Sequence, residues 1–536
     1  MKSFYAILIF ILFTFTLSSQ NTIYNSTFGN NGILNFHGVS PRGDATRSAI
    51  TPLGNIIVAY TTNNANYDFI VYQFKPDGSL DTSFGDHGTV TLFFDIFPEH
   101  GAVHSIAVQP DGKIILAGSS FVGNVKVIGV IRLSISGQLD NTFDADGKAK
   151  FSIPGGNAFN TCMSIQADDK ILISGRIEKF DPTDSDDSFV LRLKSDGILD
   201  NTFGSFGKLI IDLVDGLEDL YAISALPNEK IYISGSKLKD NSVNGYLMRL
   251  NNDGSTDNTF GSLGLITNIF NRTSEVVLDM KILSDSKILF SGIASNNTRT
   301  TEMVVSKLLA NGDDDISFGI NGVFSLGLTE ISYFGYSMAV QNDNKIAVAV
   351  TGALGNINSI TPILDYSGDV IRLTKDGKLD ANFNTSGIIK DVFKSDLPKG
   401  HQVDMVHITP DQNILAVGWS SNAAQIVNLA LAKINSNTTT VGIESLNLAF
   451  TGHPKLIYAS GSHQIKIYFS LSQPTSIGIN LIDLSGKLIE RLSSASVYSP
   501  GNYSIPFSIY SPLSAGVYIV ILNSPKGSLA LKFLKP

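Results

Sequence analysis

A Phe-Gly step, or a close relative of it, recurs seven times in this chain, each time shortly after an Asp-Gly or Asn turn. The copies centre on Phe28, Phe84, Phe143, Phe203, Phe260, Phe318 and Phe383, and lie 56, 59, 60, 57, 58 and 65 residues apart. A period held this closely over most of 536 residues requires a repeat architecture, because a single compact core does not grow to that length.

Three further elements keep register with the step. The first is an alternating apolar segment ending in a turn, as in Ser105 to Gly112. The second is Lys113-Ile114-Ile115-Leu116-Ala117-Gly118, echoed at Lys170 to Gly175, Lys230 to Gly235 and Lys287 to Gly292, with looser copies at Asn55 to Tyr60, Lys345 to Val350 and Asn413 to Gly418. The third is Phe69 to Phe74, echoed near Phe189, Tyr246, Val370 and Leu429. After it come Leu80-Asp81-Thr82-Ser83-Phe84-Gly85 and a short strand, Thr89 to Phe93. Asp-Gly between apolar runs signals a hairpin, because Gly accepts positive φ and Asp caps its own turn. Four short strands per repeat predict an all-β chain whose main body is a seven-bladed β-propeller.

The first Phe-Gly step is followed by the strand-like Ile33 to Phe36, and the last repeat ends at Asn435 with no Phe-Gly step after it. The expectation is that Ile33 to Phe36 completes the blade built by residues 401–435, which leaves no open sheet edge at the seam. Phe is expected to pack between neighbouring blades while Gly turns the chain beneath it. Two copies, Phe143-Asp144 and Phe383-Asn384, lack the Gly, which predicts a looser turn there.

These repeats resemble the delta-60 repeat, a family of bacterial β-propeller modules. The resemblance spans about residues 25–435 and rests on the Pro-Asp-Gly-Lys-Ile and Leu-Asp-x-x-Phe-Gly elements occurring in phase, as at Pro110 to Ile114 and Leu80 to Gly85.

Residues 436–446 read as a polar linker, and 447–536 as a small antiparallel β-sandwich, Ig-like, with strands at Gln464–Phe469, Ile477–Leu484, Gly516–Leu522 and Leu529–Phe533. Asp483-Leu484-Ser485-Gly486, Leu513 to Tyr518 and the closing Lys532-Phe533-Leu534-Lys535-Pro536 resemble the type A C-terminal sorting domain of the type IX secretion system of Bacteroidetes. The sorting motif residues are Asp483, Gly486, Gly516, Tyr518 and Lys532. The usual Asn-Pro near the first strand is replaced by His453-Pro454, which leaves the boundary open. The resemblance implies the secretion machinery as a partner, export across the outer membrane, and in many members removal of this domain with attachment of the cargo to surface lipopolysaccharide.

At the other end, Met1-Lys2, the apolar run Phe4 to Leu17 and Ser18-Ser19-Gln20 have the three parts of a secretory signal peptide, residues 1–19. The run is short for a spanning helix, which needs ~20 residues. The expected location is therefore secreted or outer-membrane surface, by way of the periplasm. A single cysteine, Cys162, allows no internal disulfide and reads as an inert core thiol. A net charge of −9 with no basic, aromatic-rich stripe argues against nucleic acid. A monomer is expected.

Chemistry-bearing residues are sparse. His104 and His407 come from corresponding strands, but anchoring on Asp111 and Asp411 aligns His407 with Ala107, so simple alternation places the two histidines on opposite faces. The acidic loop Glu178 to Ser188 holds Asp184, Asp186 and Asp187, the one place where a calcium site is worth testing, although calcium needs six or more converging oxygens. No other cofactor and no catalytic residue is assigned. Repeat six carries the longest insertion, Thr351 to Gly368, whose Ile360 and Tyr366 are ligand-binding candidates together with Trp419, the sole tryptophan. Near-uniform repeats predict a non-catalytic binding or adhesion module for glycan or protein. The alternative is a polysaccharide-acting hydrolase or lyase with its site at the central opening.

Overall fold

The computed structural model describes residues 23–36, 46–61, 69–93, 102–181, 184–213, 217–226, 228–239, 242–295, 301–327, 331–354, 366–384, 386–394, 400–421, 427–436, 455–459, 464–482, 488–509, 513, 516–524 and 527–535. All regular structure among them is β, and among these described residues no helix is long and apolar enough to cross a membrane. The chain divides into two compact units, one of Thr22–Thr438 and one holding Thr439–Pro536.

The larger unit opens with β1 (Ile33–Phe36) and continues through seven runs of strands. The first is β2 (Arg47–Ile50), β3 (Ile56–Thr61), β4 (Phe69–Phe74) and β5 (Thr89–Leu92). The second is β6 (Ala102–Val108), β7 (Ile114–Val122), β8 (Val125–Leu133) and β9 (Lys148–Phe151). The third is β10 (Gly156–Ile165), β11 (Ile171–Lys179), β12 (Asp187–Leu193) and β13 (Lys208–Ile211). The fourth is β14 (Leu217–Ala225), β15 (Ile231–Lys239), β16 (Ser242–Leu250) and β17 (Leu265–Thr267). The fifth is β18 (Ser274–Ile282), β19 (Ile288–Ser295), β20 (Glu302–Leu308) and β21 (Val323–Leu326). The sixth is β22 (Ile331–Val340), β23 (Ile346–Leu354), β24 (Tyr366–Leu373) and β25 (Ile388–Ile389). The seventh is β26 (His401–Ile408), β27 (Ile414–Ser421) and β28 (Val427–Ile434). Each of the first six runs is a four-stranded antiparallel sheet in chain order, and β1 pairs antiparallel with β28 as the fourth strand of the seventh, Ile33 opposite Ala432 and Phe36 opposite Leu429.

The repeated phenylalanines explain how the sheets hold together. Each lies in a buried cluster drawn from two consecutive sheets: Phe143 with Ile115 and Ile173, Phe203 with Leu172 and Ile233, Phe28 with Val58 and Leu431. The rings are almost completely buried. The neighbouring turn then closes over the ring. A Cβ on Gly197 would lie 2.9 Å from Phe143 ring carbons, and Gly78, Gly254, Gly312 and Gly377 make the same approach to Phe28, Phe203, Phe260 and Phe318. Only glycine leaves room for this contact at these positive-φ positions.

The third strand adds a polar clamp. Arg132, Arg192, Arg249 and Arg372 pair through Nε with Asp140, Asp200, Asp257 and Asp380 at 2.8–2.9 Å, and their guanidinium carbons stand 4.4–4.8 Å from the rings of Phe143, Phe203, Phe260 and Phe383. Arg132, Arg192 and Arg372 also reach the backbone carbonyls of Ser195, Asn252 and Ser436 in the next repeat. The Thr259 hydroxyl, followed by Lys230 and Arg249, holds the Asp257 carboxyl well below the usual carboxylate range.

The loss of glycine at two steps does not loosen the turn, contrary to the sequence expectation. Asp144 (φ 46°) and Asn384 (φ 49°) adopt the left-handed conformation of Gly29 (φ 51°) and Gly204 (φ 51°). Asp144 donates its N–H to Asp196 O at 2.8 Å, as Gly204 does to Asp253 O. Asp and Asn tolerate this region better than other side chains.

The second unit contains β29 (Lys455–Ala459), β30 (Gln464–Leu471), β31 (Thr475–Ile482), β32 (Leu488–Tyr498), β33 (Gly501–Ser508), β34 (Gly516–Ser524) and β35 (Gly527–Lys535). They form two antiparallel sheets, ordered β29-β30-β33 and β32-β31-β34-β35. One buried cluster draws on both, including Ile467 and Phe469 from one and Ile479, Leu481 and Val520 from the other.

Candidate functional site: the central cavity

The first strand of each sheet has a special role. β2, β6, β10, β14, β18, β22 and β26 each contact the next in order, and β26 contacts β2. Six of the seven carry a β-bulge at the same register, opposite the second strand. The displaced residues are His104, Thr161, Tyr221, Leu278, Tyr336 and Asp404. A bulge interrupts the alternation of side chains and re-aims them.

It also disturbs the ladder, and a neighbouring strand supplies compensating bonds. Asp279 Oδ2 accepts the Met338 N–H at 2.7 Å, Ser337 Oγ the Val406 N–H at 3.4 Å, and Met405 Sδ the Ser48 N–H at 3.2 Å. The residue after the bulge therefore often serves its neighbour's backbone rather than a ligand.

The bulged segments surround a cavity of about 870 Å³, bordered by Arg47, His104, Tyr221, Asp279, Lys281 and Asp404 among others. Lys281 Nζ pairs with both oxygens of Asp279 at 2.7 and 2.9 Å. Arg47 Nε donates to His104 O at 2.7 Å, Gln402 Nε2 to Asp404 Oδ1 at 2.7 Å, and Tyr221 OH to Asp219 Oδ2 at 3.2 Å. His407 Nε2 lies 2.8 Å from Ser48 Oγ. Burial, with Lys281 nearby, pushes the His407 imidazole down to about 4, so it is neutral near pH 7. A second cavity of about 750 Å³ adjoins at the far ends of these strands, lined by Val108, Ile165 and Ala225. Ile50, Val340 and Ile408 border both.

The structure corrects the reading of the two histidines: His104 and His407 border the same cavity, because His104 sits in a bulge that breaks the strand's alternation. Among the described residues no group of three His, Cys, Asp or Glu side chains is placed to hold a metal. Cys162, expected in the core, is half-buried on the same cavity, with Sγ 2.8 Å from Ser174 Oγ.

Trp419 lies in β27 opposite Gln402 and Leu429, and its buried Nε1 has no hydrogen-bond partner among the described residues. Tyr366 opens β24 opposite Ala353, so part of the expected insertion is strand; Ile360 lies outside the described residues. Trp419, Tyr366 and the acidic loop occupy the end of their sheets where the bulged strands begin. Asp187 is 2.6 Å from Lys179 Nζ and Asp184 3.9 Å from it, while Asp186 lies 3.7 Å from Arg176 and accepts the Lys179 N–H. These three carboxylates thus face protein cations. Of the sorting motif, Gly516 opens β34, Tyr518 is buried in the core and Lys532 lies in β35 opposite Ile519; Asp483 and Gly486 fall outside the described residues.

Sequence reasoning did not single out Arg47, Tyr221, Asp279, Lys281 or Asp404. The signal available was their departure from the repeat at equivalent positions, which needs the bulge register to be recognised.

Residues 54–84, 109–143, 166–203 and 226–260 match a family described as "Domain of unknown function (DUF5122) beta-propeller". The chain is a β-propeller repeat protein. No curated protein matches the sequence. Among solved structures, the chain is similar to an α-L-arabinanase of Penicillium chrysogenum complexed with arabinobiose (12% identity, 64% of this chain and 98% of that one, TM-score 0.38). It is also similar to an ulvan lyase of polysaccharide lyase family PL25 (11% identity, 75% and 94%, TM-score 0.40) and to a Dyadobacter fermentans protein of unknown function (12% identity, 60% and 96%, TM-score 0.36). Similarity at this level carries no argument about what the chain does.

Proposed function

We propose that this chain is an exported binding protein: a seven-bladed propeller, closed by its N-terminal strand, that holds a glycan or protein ligand without turning it over. The bulged end of the central cavity is the site. One observation carries this reading. The outer strands repeat the same Phe, Gly and Arg–Asp contacts, whereas the bulge displaces chemically different residues, His104, Tyr221, Leu278 and Asp404, at one register. Bulges concentrate next to functional sites because they re-aim side chains, and a propeller's centre is where residues from different blades converge.

The groups present support a non-catalytic role. Ser48 and His407 have nucleophile–base spacing, but Ser48 is buried and His407 is a weak base. Asp279 is engaged by Lys281 and by backbone N–H groups. The polysaccharide hydrolase or lyase alternative would draw on Tyr221, His104 and Asp404.

Residues 1–19 would direct export and 447–536 would act as an Ig-like sorting sandwich for type IX secretion, delivering the propeller to the medium or outer-membrane surface. The two-sheet core of the second unit supports the sandwich.

The test is a glycan-array screen of purified secreted protein beside polysaccharide-degradation assays, repeated with the Lys281→Ala/Asp404→Ala variant. Binding that the double variant loses supports the cavity as the site. Turnover of any polysaccharide overturns the binding-only reading.

A further inference from the structure

Every first strand of the larger unit ends on an aliphatic residue that pairs with an isoleucine opening the second strand. Ile50 pairs with Ile56, Val108 with Ile114, Ile165 with Ile171, Ala225 with Ile231, Val340 with Ile346 and Ile408 with Ile414. Ile282 with Ile288 is the seventh pair. The isoleucines of the second strands are almost completely buried, whereas the residues ending the first strands are only half-buried. Aliphatic surface left in water forgoes about 25 cal/mol per Å². The first strands surround the centre, and Ile50, Val108, Ile165, Ala225, Val340 and Ile408 border the cavity of about 750 Å³ there. They form an aliphatic collar around it.

None of the described residues lining this cavity is charged. Asp111, Asp168, Asp343 and Asp411 each adjoin a lining residue in sequence, but their carboxylates lie 2.7–3.4 Å from the ammonium groups of Lys113, Lys170, Lys345 and Lys433. The charges beside the cavity are therefore already matched. Its polar walls are neutral. Exposed Pro52, Pro110 and Pro410 contribute to the rim, and buried Thr51, Gln109 and Gln166 stand beside the collar. The Oε1 atoms of Gln109 and Gln166 have no hydrogen-bond partner among the described residues, so the wall holds accepting capacity that the protein leaves unused.

We infer that the collared cavity is a second binding site, and that it takes an uncharged lipid: one aliphatic chain with a hydroxyl or ester head. The collar matches the chain, and the amides and hydroxyls beside it match a neutral polar head. A charged head would find no partner in the walls and would lose hydration on entering. The volume falls in the range of about 300–1,000 Å³ typical of small-molecule sites, which are mostly apolar with a few polar groups. A protein partner would instead need a broad face of about 800 Å². The site lies at the opposite end of the first strands from the bulges. Val108, Ile165 and Ala225 border it without bordering the bulged cavity, so it is separable from the glycan or protein site proposed there.

The experiment titrates full-length secreted protein with 1-monolauroylglycerol, laurate and dodecyltrimethylammonium, three twelve-carbon chains with neutral, anionic and cationic heads. Each is kept below its micelle concentration, and binding is read by calorimetry and by displacement of the neutral dye N-phenyl-1-naphthylamine. The proteins are wild type, Val108→Asp, Ala225→Ile and Phe206→Asn. Ala225→Ile installs the residue that Ile50, Ile165 and Ile408 already provide at the equivalent position, so it should melt like wild type. Phe206→Asn removes a ring that is 75% exposed on a turn and does not border the cavity. The expected result is that monolauroylglycerol binds on the order of tenfold tighter than either charged chain. Val108→Asp should weaken it on the order of tenfold, Ala225→Ile on the order of threefold, and Phe206→Asn should leave it unchanged. No binding of monolauroylglycerol overturns the site, as does unchanged affinity in folded Val108→Asp. If Val108→Asp does not fold, unchanged affinity in Ala225→Ile overturns it. Loss in Phe206→Asn assigns the lipid to the outer surface, and equal binding of all three chains overturns the preference for a neutral head. A glycan-array result, positive or negative, bears on the bulged cavity and leaves these outcomes as they stand.

Discussion

Gly197 rests on the ring of Phe143: a Cβ added there would meet ring carbons at 2.9 Å, at a backbone φ of +88°. The turn of one repeat is thus seated on the aromatic buried between that repeat and the one before it.

Gly197→Ala should destabilise the propeller by roughly 2–3 kcal/mol, since it combines a forbidden φ with an overpacked ring. Gly123→Ala is the comparison, with φ +60° but no atom within 4 Å of the added carbon. It should cost about 1 kcal/mol, from backbone strain alone. Urea unfolding of both variants checks the difference; equal losses would remove the packing argument.

Arg192 is buried between Asp200, 2.9 Å away, and the Phe203 ring, 4.7 Å away. Arg192→Met should cost roughly 3 kcal/mol because it leaves the Asp200 carboxylate buried with Thr202 as a hydrogen-bond donor and, of its two cations, only Lys170 at 3.7 Å. Adding Asp200→Asn should recover part of the loss. A double-mutant cycle by thermal denaturation measures the coupling, and strict additivity would contradict it.

Removing residues 1–36 should leave β28 paired only with β27 and expose its other edge to pairing with other chains. The truncated protein is expected to elute as higher oligomers in size-exclusion chromatography and to melt at a lower temperature. A monomer of unchanged melting temperature would show that β1 is dispensable.

Burial raises several acids in the larger unit, among them Glu218, pushed up to about 7, and Asp369, to about 6, from ordinary values of 4.5 and 3.8. Each holds its proton more tightly folded than unfolded. The stability this supplies is full below the unfolded value and is lost as pH rises through the folded one. Glu218 therefore penalises folding increasingly between about pH 4.5 and 7. His407 has the opposite sign: depressed to about 4, it makes stability fall as pH drops below 6.5. Melting curves of wild type and Glu218→Gln from pH 5 to 8 separate these effects. The variant should gain relative stability towards pH 8, and parallel curves would refute the assignment.

The propeller was legible because its repeat is written in residues with narrow roles. Phe203 fills the space between sheets, Gly254 must lack a side chain beside it, and Asp257 must meet Arg249. Each constraint recurs, so each leaves a period. The cavity was harder to read. Nothing in Val103-His104-Ser105 announces that an extra residue interrupts the ladder there. The alternation rule therefore sent His104 and His407 to opposite faces. Asp144 and Asn384 show the converse limit: a missing glycine suggested slack, yet both side chains tolerate the required backbone state.

The pairing of β1 with β28 also sets an order of events. Ile33 and Ala432 come together across nearly the whole larger unit, so their contact carries one of the largest loop-closure entropies in it. Neighbouring sheets can dock as soon as both have formed, but the seam must wait for the last strand to be available. The ring is then fastened by the slowest class of contact in the molecule, and the same contact ties the first strand of the larger unit to its last.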